Sequence, residues 1–105
     1  MTAYLVAFGR VHKPEMMPEH EQHTPAVVAE YGGRYLVRGG TVVTLEGPAE
    51  DRRVVVVEFP DMASAQAFYE SSGYRRVRDH LGDAVTADMF LLEGSCDEGQ
   101  TKGKS

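Results

Sequence analysis

The chain has 105 residues, 42% hydrophobic and 26% charged, which is the size and balance of one globular domain. Its 11 Lys and Arg are outnumbered by 16 Asp and Glu, giving a net charge of −5 and arguing against a nucleic-acid partner held by phosphate contacts. No apolar run approaches the ~20 residues that cross a bilayer, so no membrane partner is expected. The single cysteine, Cys96, leaves no intrachain disulfide framework and no multi-cysteine metal site. The start, MTAYLVAFGR, has neither a basic n-region nor a small-residue cleavage site, so no signal peptide is expected and the plain expectation is a cytoplasmic protein.

Ala3 to Val11 reads as a strand, with Tyr4, Val6 and Phe8 on one face and Leu5, Ala7 and Val11 on the other. Lys13-Pro14 breaks it. From Met16 to Tyr31 an apolar stripe at Met17, His20, Thr24, Val27 or Val28 and Tyr31 has helical spacing. Pro18 fits the first turn, but Pro25 lies inside and removes an amide donor. The sequence predicts a kink there, or a second start with Thr24 as N-cap.

The next stretch, YGGRYLVRGG from Tyr31 to Gly40, organises the chain. Gly32-Gly33 supplies a helix stop. Arg34 to Gly39 is a strand, with Arg38 on the Leu36 face by strict alternation. Gly39-Gly40 marks a bulge or bend. Thr41 to Glu46 is expected to continue the strand, and Gly47 to Arg52 to turn it. Arg53 to Phe59 is a third strand, Met62 to Ser71 a helix with Ala65, Phe68 and Tyr69 inward, and Tyr74 to Leu81 a short further helix. Ala87 to Glu93 closes the set. Gly94 to Ser105 has almost no apolar residues and is expected to be a disordered tail, so the domain spans residues 1–94 and the tail residues 95–105.

Strand, helix, strand, strand, helix, strand is the ferredoxin-like βαββαβ order: an α+β fold with one antiparallel sheet and its main helices on one face. Such a sheet, if wet on its other face, should alternate apolar and polar. These strands do not. Val54 and Val56 oppose Val55, Val57 and Phe59, and Met89 and Leu91 oppose Phe90 and Leu92. The uncovered apolar face predicts a homodimer packed sheet to sheet.

Lys13-Pro14-Glu15, the helix carrying Pro25, YGGRYLVRGG, RVVVVEFP at Arg53 to Pro60 and AQAFY at Ala65 to Tyr69 together resemble the family called domain of unknown function 1330. The resemblance implies a ferredoxin-like subunit of the dimeric α+β barrel superfamily. That superfamily includes cofactor-free monooxygenases, lactone isomerases, haem-degrading enzymes and members without known activity. It also implies that Lys13 stands where relatives commonly carry an acid, and Met17 and His20 where they carry aromatics three apart.

Candidate chemistry rests on a few side chains. Arg38 and Glu58 are expected to approach across the hairpin, because charges within an apolar sheet need partners. They form either an anion-binding arginine oriented by a carboxylate or a structural ion pair. His20 and His23 share a helix edge, with His12 or Glu19 as further ligands, but without a third spaced ligand no metal is expected. His20 alone is a candidate general base. Tyr69 and Tyr74 flank the end of the second helix as candidate ligand contacts, or as packing residues whose hydroxyls reach solvent. Arg75, Arg76 and Arg78 read as a solvated basic face. No phosphate loop, dinucleotide fingerprint or nucleophile elbow is present, and no cofactor is expected. Two readings remain: a small-molecule binding protein with Arg38, Glu58, Tyr69 and Tyr74 at the polar end of a cavity, or a cofactor-independent oxygenase or isomerase with His20 as base.

Overall fold

In a computed structural model, which describes residues 1–95, the strands are β1 (Ala3–Val11), β2 (Arg34–Arg38), β3 (Arg53–Phe59) and β4 (Val85–Glu93). The helices are α1 (Met17–Glu30), α2 (Met62–Glu70) and α3 (Ser72–Leu81), with 3₁₀ turns at Pro14–Met16 and Gly82–Ala84. The strands form one sheet in the order β2-β3-β1-β4, with every pair antiparallel. Element order and sheet order together are ferredoxin-like α+β, as the sequence predicts. Of the expected tail, Gly94 and Ser95 are described, the Gly94 amide donating to the Thr2 carbonyl at 2.6 Å, and residues 96–105, Cys96 among them, lie outside the described residues. Among the described residues no helix is long and apolar enough to cross a membrane.

Alternation decides which side chains meet the helices. Ala3 and Leu5 of β1, Val57 and Phe59 of β3, Val28 of α1, Ala65 and Phe68 of α2 and Tyr74 of α3 form the buried core. Phe68 is its centre, with ring centroids 5.3 Å from Phe59 and 4.8 Å from Tyr74. The opposite face carries Phe90 and Leu92, which are 54% and 53% exposed. At the other edge of the sheet Leu36 and Val37 of β2 are also exposed.

Helix α1 does not restart at Pro25; it is continuous from Met17 to Glu30, and Thr24 is a buried interior residue rather than a cap. The helix ends as the glycine pair dictates. Gly32, at φ 80°, lets its own amide donate to the Ala29 carbonyl and the Gly33 amide to that of Val28. This doubly bonded stop is the Schellman arrangement. At Gly33 a Cβ would lie 2.7 Å from Phe59 Cε1 and 2.8 Å from Val28 Cγ1, so only glycine lets the chain turn so close to the core.

Helix α2 is capped by Asp61, whose carboxylate accepts from the Ser64 amide. Helix α3 starts at Ser72, earlier than the sequence predicts, because the Ser71 hydroxyl accepts from the Tyr74 amide. The predicted strand Thr41 to Glu46 is absent: these residues have no regular structure and expose Val43 and Leu45. After Arg38 the chain leaves the sheet edge, and no neighbouring strand is there to satisfy a continued ladder. Strand β4 begins at Val85, not Ala87.

A cavity under the helices with arginines at its mouth

Between the sheet and helices α1 and α3 lies a cavity of about 130 Å³. Its floor is the inner face of the sheet, including Leu5, Ala7, Val57 and Met89, and its roof includes Met17, His20 and Val28 of α1. Of its charged lining residues, Arg38 at the end of β2 and Glu21 of α1 are solvent-exposed and mark a mouth, with the half-buried Arg53 of β3 beside them.

Arg38 reaches the cavity through an irregularity in β2. Tyr35 pairs with Val57, but Val37 pairs with Val56 and Arg38 with Val55, so the register shifts between Tyr35 and Val37. Val55 and Val57 share the helix-facing side, and their partners do too. The extra residue therefore moves Arg38 off the Leu36 face, where strict alternation places it, and onto the Tyr35 face. There its guanidinium lies 4.5 Å from the Tyr35 ring centroid.

Its second contact is a consequence of Pro25. A proline has no amide hydrogen, so the carbonyl four residues back, that of Glu21, has no helical donor. Arg38 Nη2 donates to this carbonyl at 3.3 Å. The helix defect and the strand bulge thus meet at one hydrogen bond, which holds the guanidinium at the mouth. Gly39 completes the arrangement: at φ 77°, its missing Cβ would sit 2.8 Å from Arg53 Nε.

The expected Arg38–Glu58 pair does not form. The connection from Gly39 to Arg52 is a long excursion rather than a tight hairpin, and in the actual register Glu58 lies opposite Arg34. Arg34 Nε donates to Glu58 Oε1 at 2.6 Å, on the sheet face turned away from the cavity. Arg53 instead faces Glu21, with Nη2 and Oε2 3.9 Å apart.

His20 is half-buried on the cavity lining, its Nδ1 3.1 Å from Thr24 Oγ1. Burial lowers its pKa from 6.5, and the charge of Arg53 lowers it further, so the ring is neutral at pH 7. His23 is exposed and does not join it. His12 bonds Thr86 Oγ1 at 2.9 Å, and Glu19 is paired with His80 at 2.7 Å. Among the described residues no group of three or more His, Cys, Asp or Glu is placed to hold a metal ion.

The two candidate tyrosines separate. Tyr74 is buried and lines the cavity. Its hydroxyl donates to Met89 Sδ at 3.4 Å, a weak acceptor, and burial pushes its pKa up to about 12. Tyr69, one position around α2 from the buried Phe68, faces α3 and is 38% exposed. It accepts from Arg78 Nη1 at 2.8 Å and does not line the cavity.

Sequence reasoning misses Tyr35, Arg53 and Thr24 as members of this site. Arg53 is within its reach, since alternation puts 53 on the face of Val55 and Val57. The meeting of Tyr35 and Arg38 is not, because the bulge that brings them together has no glycine to mark it.

A four-stranded antiparallel sheet roofed on one face by helices defines a ferredoxin-like α+β subunit. The chain belongs to the DUF1330 family, described as a domain of unknown function, whose sequence model matches residues 2–95. No curated protein shows significant similarity to it. Among solved structures it is similar to RPA0582, a protein of unknown function from Rhodopseudomonas palustris. The two share 18% identity at a TM-score of 0.71, over 90% of this chain and 83% of that one. It is also similar to SnoaB, a cofactor-independent oxygenase from Streptomyces nogalater, at 15% identity and a TM-score of 0.64 over 94% and 98% of the chains. A conserved protein of unknown function from Bacteroides thetaiotaomicron matches at 11% identity and a TM-score of 0.65, over 89% and 97%. At these identities the likeness shows the fold alone.

Proposed function

We propose that the protein binds a small molecule in the cavity between sheet and helices, as a homodimer packed through its outer sheet face. One observation carries the binding reading: an apolar cavity of about 130 Å³ has a few polar groups converging on it. That combination is the usual form of a small-molecule site. A cavity of ~150 Å³ takes one benzene ring, which sets the scale of the apolar part of the ligand. The Tyr74 hydroxyl, satisfied among the described residues only by a thioether, and the neutral His20 are the groups available to orient it.

The exposed Phe90, Leu92, Leu36 and Val37 support the dimer, because they form an apolar face that a second copy would cover. Glu58 and Tyr69, which lie off the cavity, have no part in the proposed binding site.

A panel of single-ring compounds tests the binding. Phenol, benzyl alcohol and benzoate are added in turn, and the melting temperature is followed for the wild type and for Ala7→Leu, which fills the cavity floor. At least one compound should raise the wild-type melting temperature in a saturable way and leave the variant unmoved. No response from any compound, or an equal response in the variant, contradicts the reading.

A second reading, a cofactor-independent enzyme with His20 as general base, is favoured by the position and charge state of that ring. It lines the cavity and is kept unprotonated by burial and by Arg53. In the tautomer whose Nδ1 hydrogen is donated to Thr24, Nε2 carries the lone pair that would accept a substrate proton. The cofactor-independent oxygenase of similar fold agrees with this reading. Turnover of a bound substrate by the wild type, lost in His20→Phe, supports it; turnover that survives the substitution contradicts it.

A further inference from the structure

The charge on the cavity lining deepens the binding reading, and the ligand class it implies depends on that reading. Two guanidiniums, Arg38 and Arg53, and one carboxylate, Glu21, line the cavity. Glu21 faces Arg53 at 3.9 Å. Among the described residues Arg38 has no carboxylate within 4.0 Å; its only hydrogen bond is to the Glu21 carbonyl. A guanidinium has five N–H donors in a rigid planar fork, so most of those of Arg38 remain unused.

We infer that the ligand is a small monoanionic carboxylate of about one ring, its carboxylate on the Arg38 fork at the mouth and its ring in the apolar interior. Four observations converge on that class. The cavity lining carries one surplus positive charge, which one carboxylate neutralises. Arg38 is held rather than free, stacked on Tyr35 at 4.5 Å and tied to α1 through the carbonyl that Pro25 leaves without a donor. A fork fixed in this way binds a planar carboxylate by two parallel hydrogen bonds with little ordering cost. Leu5, Ala7, Val28 and Val57 give the interior a hydrocarbon surface, and Glu21 is the only acid among the lining residues. The buried Tyr74 hydroxyl, whose proton goes to the weak acceptor Met89 Sδ, can turn to donate to a neutral oxygen on the ring instead.

Calorimetric titration tests this with three probes of one size and different charge: benzoate, benzyl alcohol and benzylammonium. Each is titrated into wild type, Arg38→Met and Arg38→Lys at one ionic strength. Wild type should bind benzoate more tightly than benzyl alcohol, and benzylammonium least. Arg38→Met should weaken benzoate by ~10- to 100-fold, the size of a lost charged hydrogen-bond pair, and leave benzyl alcohol unchanged. Arg38→Lys keeps the charge and loses the fork, so its benzoate affinity should fall between the two. Equal wild-type affinity for benzoate and benzyl alcohol overturns the assignment while leaving the cavity a binding site. So does benzoate binding that both variants leave intact. Failure of all three probes to bind wild type overturns the underlying binding reading as well.

Discussion

Single residues here are set by what their neighbours leave them. His20 is neutral because burial and the Arg53 charge outweigh the nearby Glu21, with Arg38 adding to the effect. Its folded pKa lies below its unfolded 6.5, so the unfolded chain binds the proton first as pH falls. This group therefore costs nothing above 6.5 and removes stability as pH drops below it. Unfolding free energies measured between about pH 7 and about pH 5 should fall less for His20→Gln than for wild type. Parallel losses would show that His20 is not so perturbed. Gly33 has a different constraint. With Phe59 and Val28 atoms at 2.7 and 2.8 Å from where a Cβ would stand, Gly33→Ala overpacks the core. A loss of about 1–3 kcal/mol is expected, read as a lower melting temperature; a variant as stable as wild type contradicts the close approach.

At the level of elements, α1 and β2 each carry one departure from regularity, and the two are complementary. Pro25 empties a carbonyl, and the β2 bulge carries Arg38 to it. Pro25→Ala restores the helical donor to Glu21. It should stabilise the fold by about 1–3 kcal/mol while weakening benzoate, because Arg38 loses its tether. A stabilised variant with undiminished benzoate affinity would mean that the tether does not position Arg38. Ser71→Ala should cost about 1 kcal/mol by uncapping α3, read as a lower melting temperature. These elements show what is legible in sequence. Apolar periodicity places each strand and helix, since alternation and helical spacing are local properties. The bulge, the long Gly39-to-Arg52 excursion and the partner of Glu58 depend on register, which two strands decide jointly and neither encodes alone. Hence the sequence marks Arg38 as a candidate but pairs it with a carboxylate it does not meet. It marks Tyr69 and Tyr74 together, yet only Tyr74 faces the cavity.

For the whole molecule, the sheet has two apolar faces and its helices cover one. The chain mass is 11.6 kDa, and sedimentation equilibrium should return twice that value. Phe90→Asp, on the exposed face of the edge strand β4, should shift the mass toward the monomer; a wild-type monomer would contradict the sheet-to-sheet dimer. The face proposed to dimerise and the cavity lie on opposite sides of one sheet, so the binding reading can be checked on its own. Of the 5 methionines, Met17 and Met89 line the cavity, whereas Met62 packs against the core elsewhere. A methionine-methyl NMR spectrum recorded during titration with benzyl alcohol is therefore the most direct measurement. Saturable shifts at Met17 and Met89, with Met1, Met16 and Met62 unmoved, are the predicted result. Shifts spread evenly over all the methyl groups, or none at Met17 and Met89, would contradict a binding cavity beneath the helices.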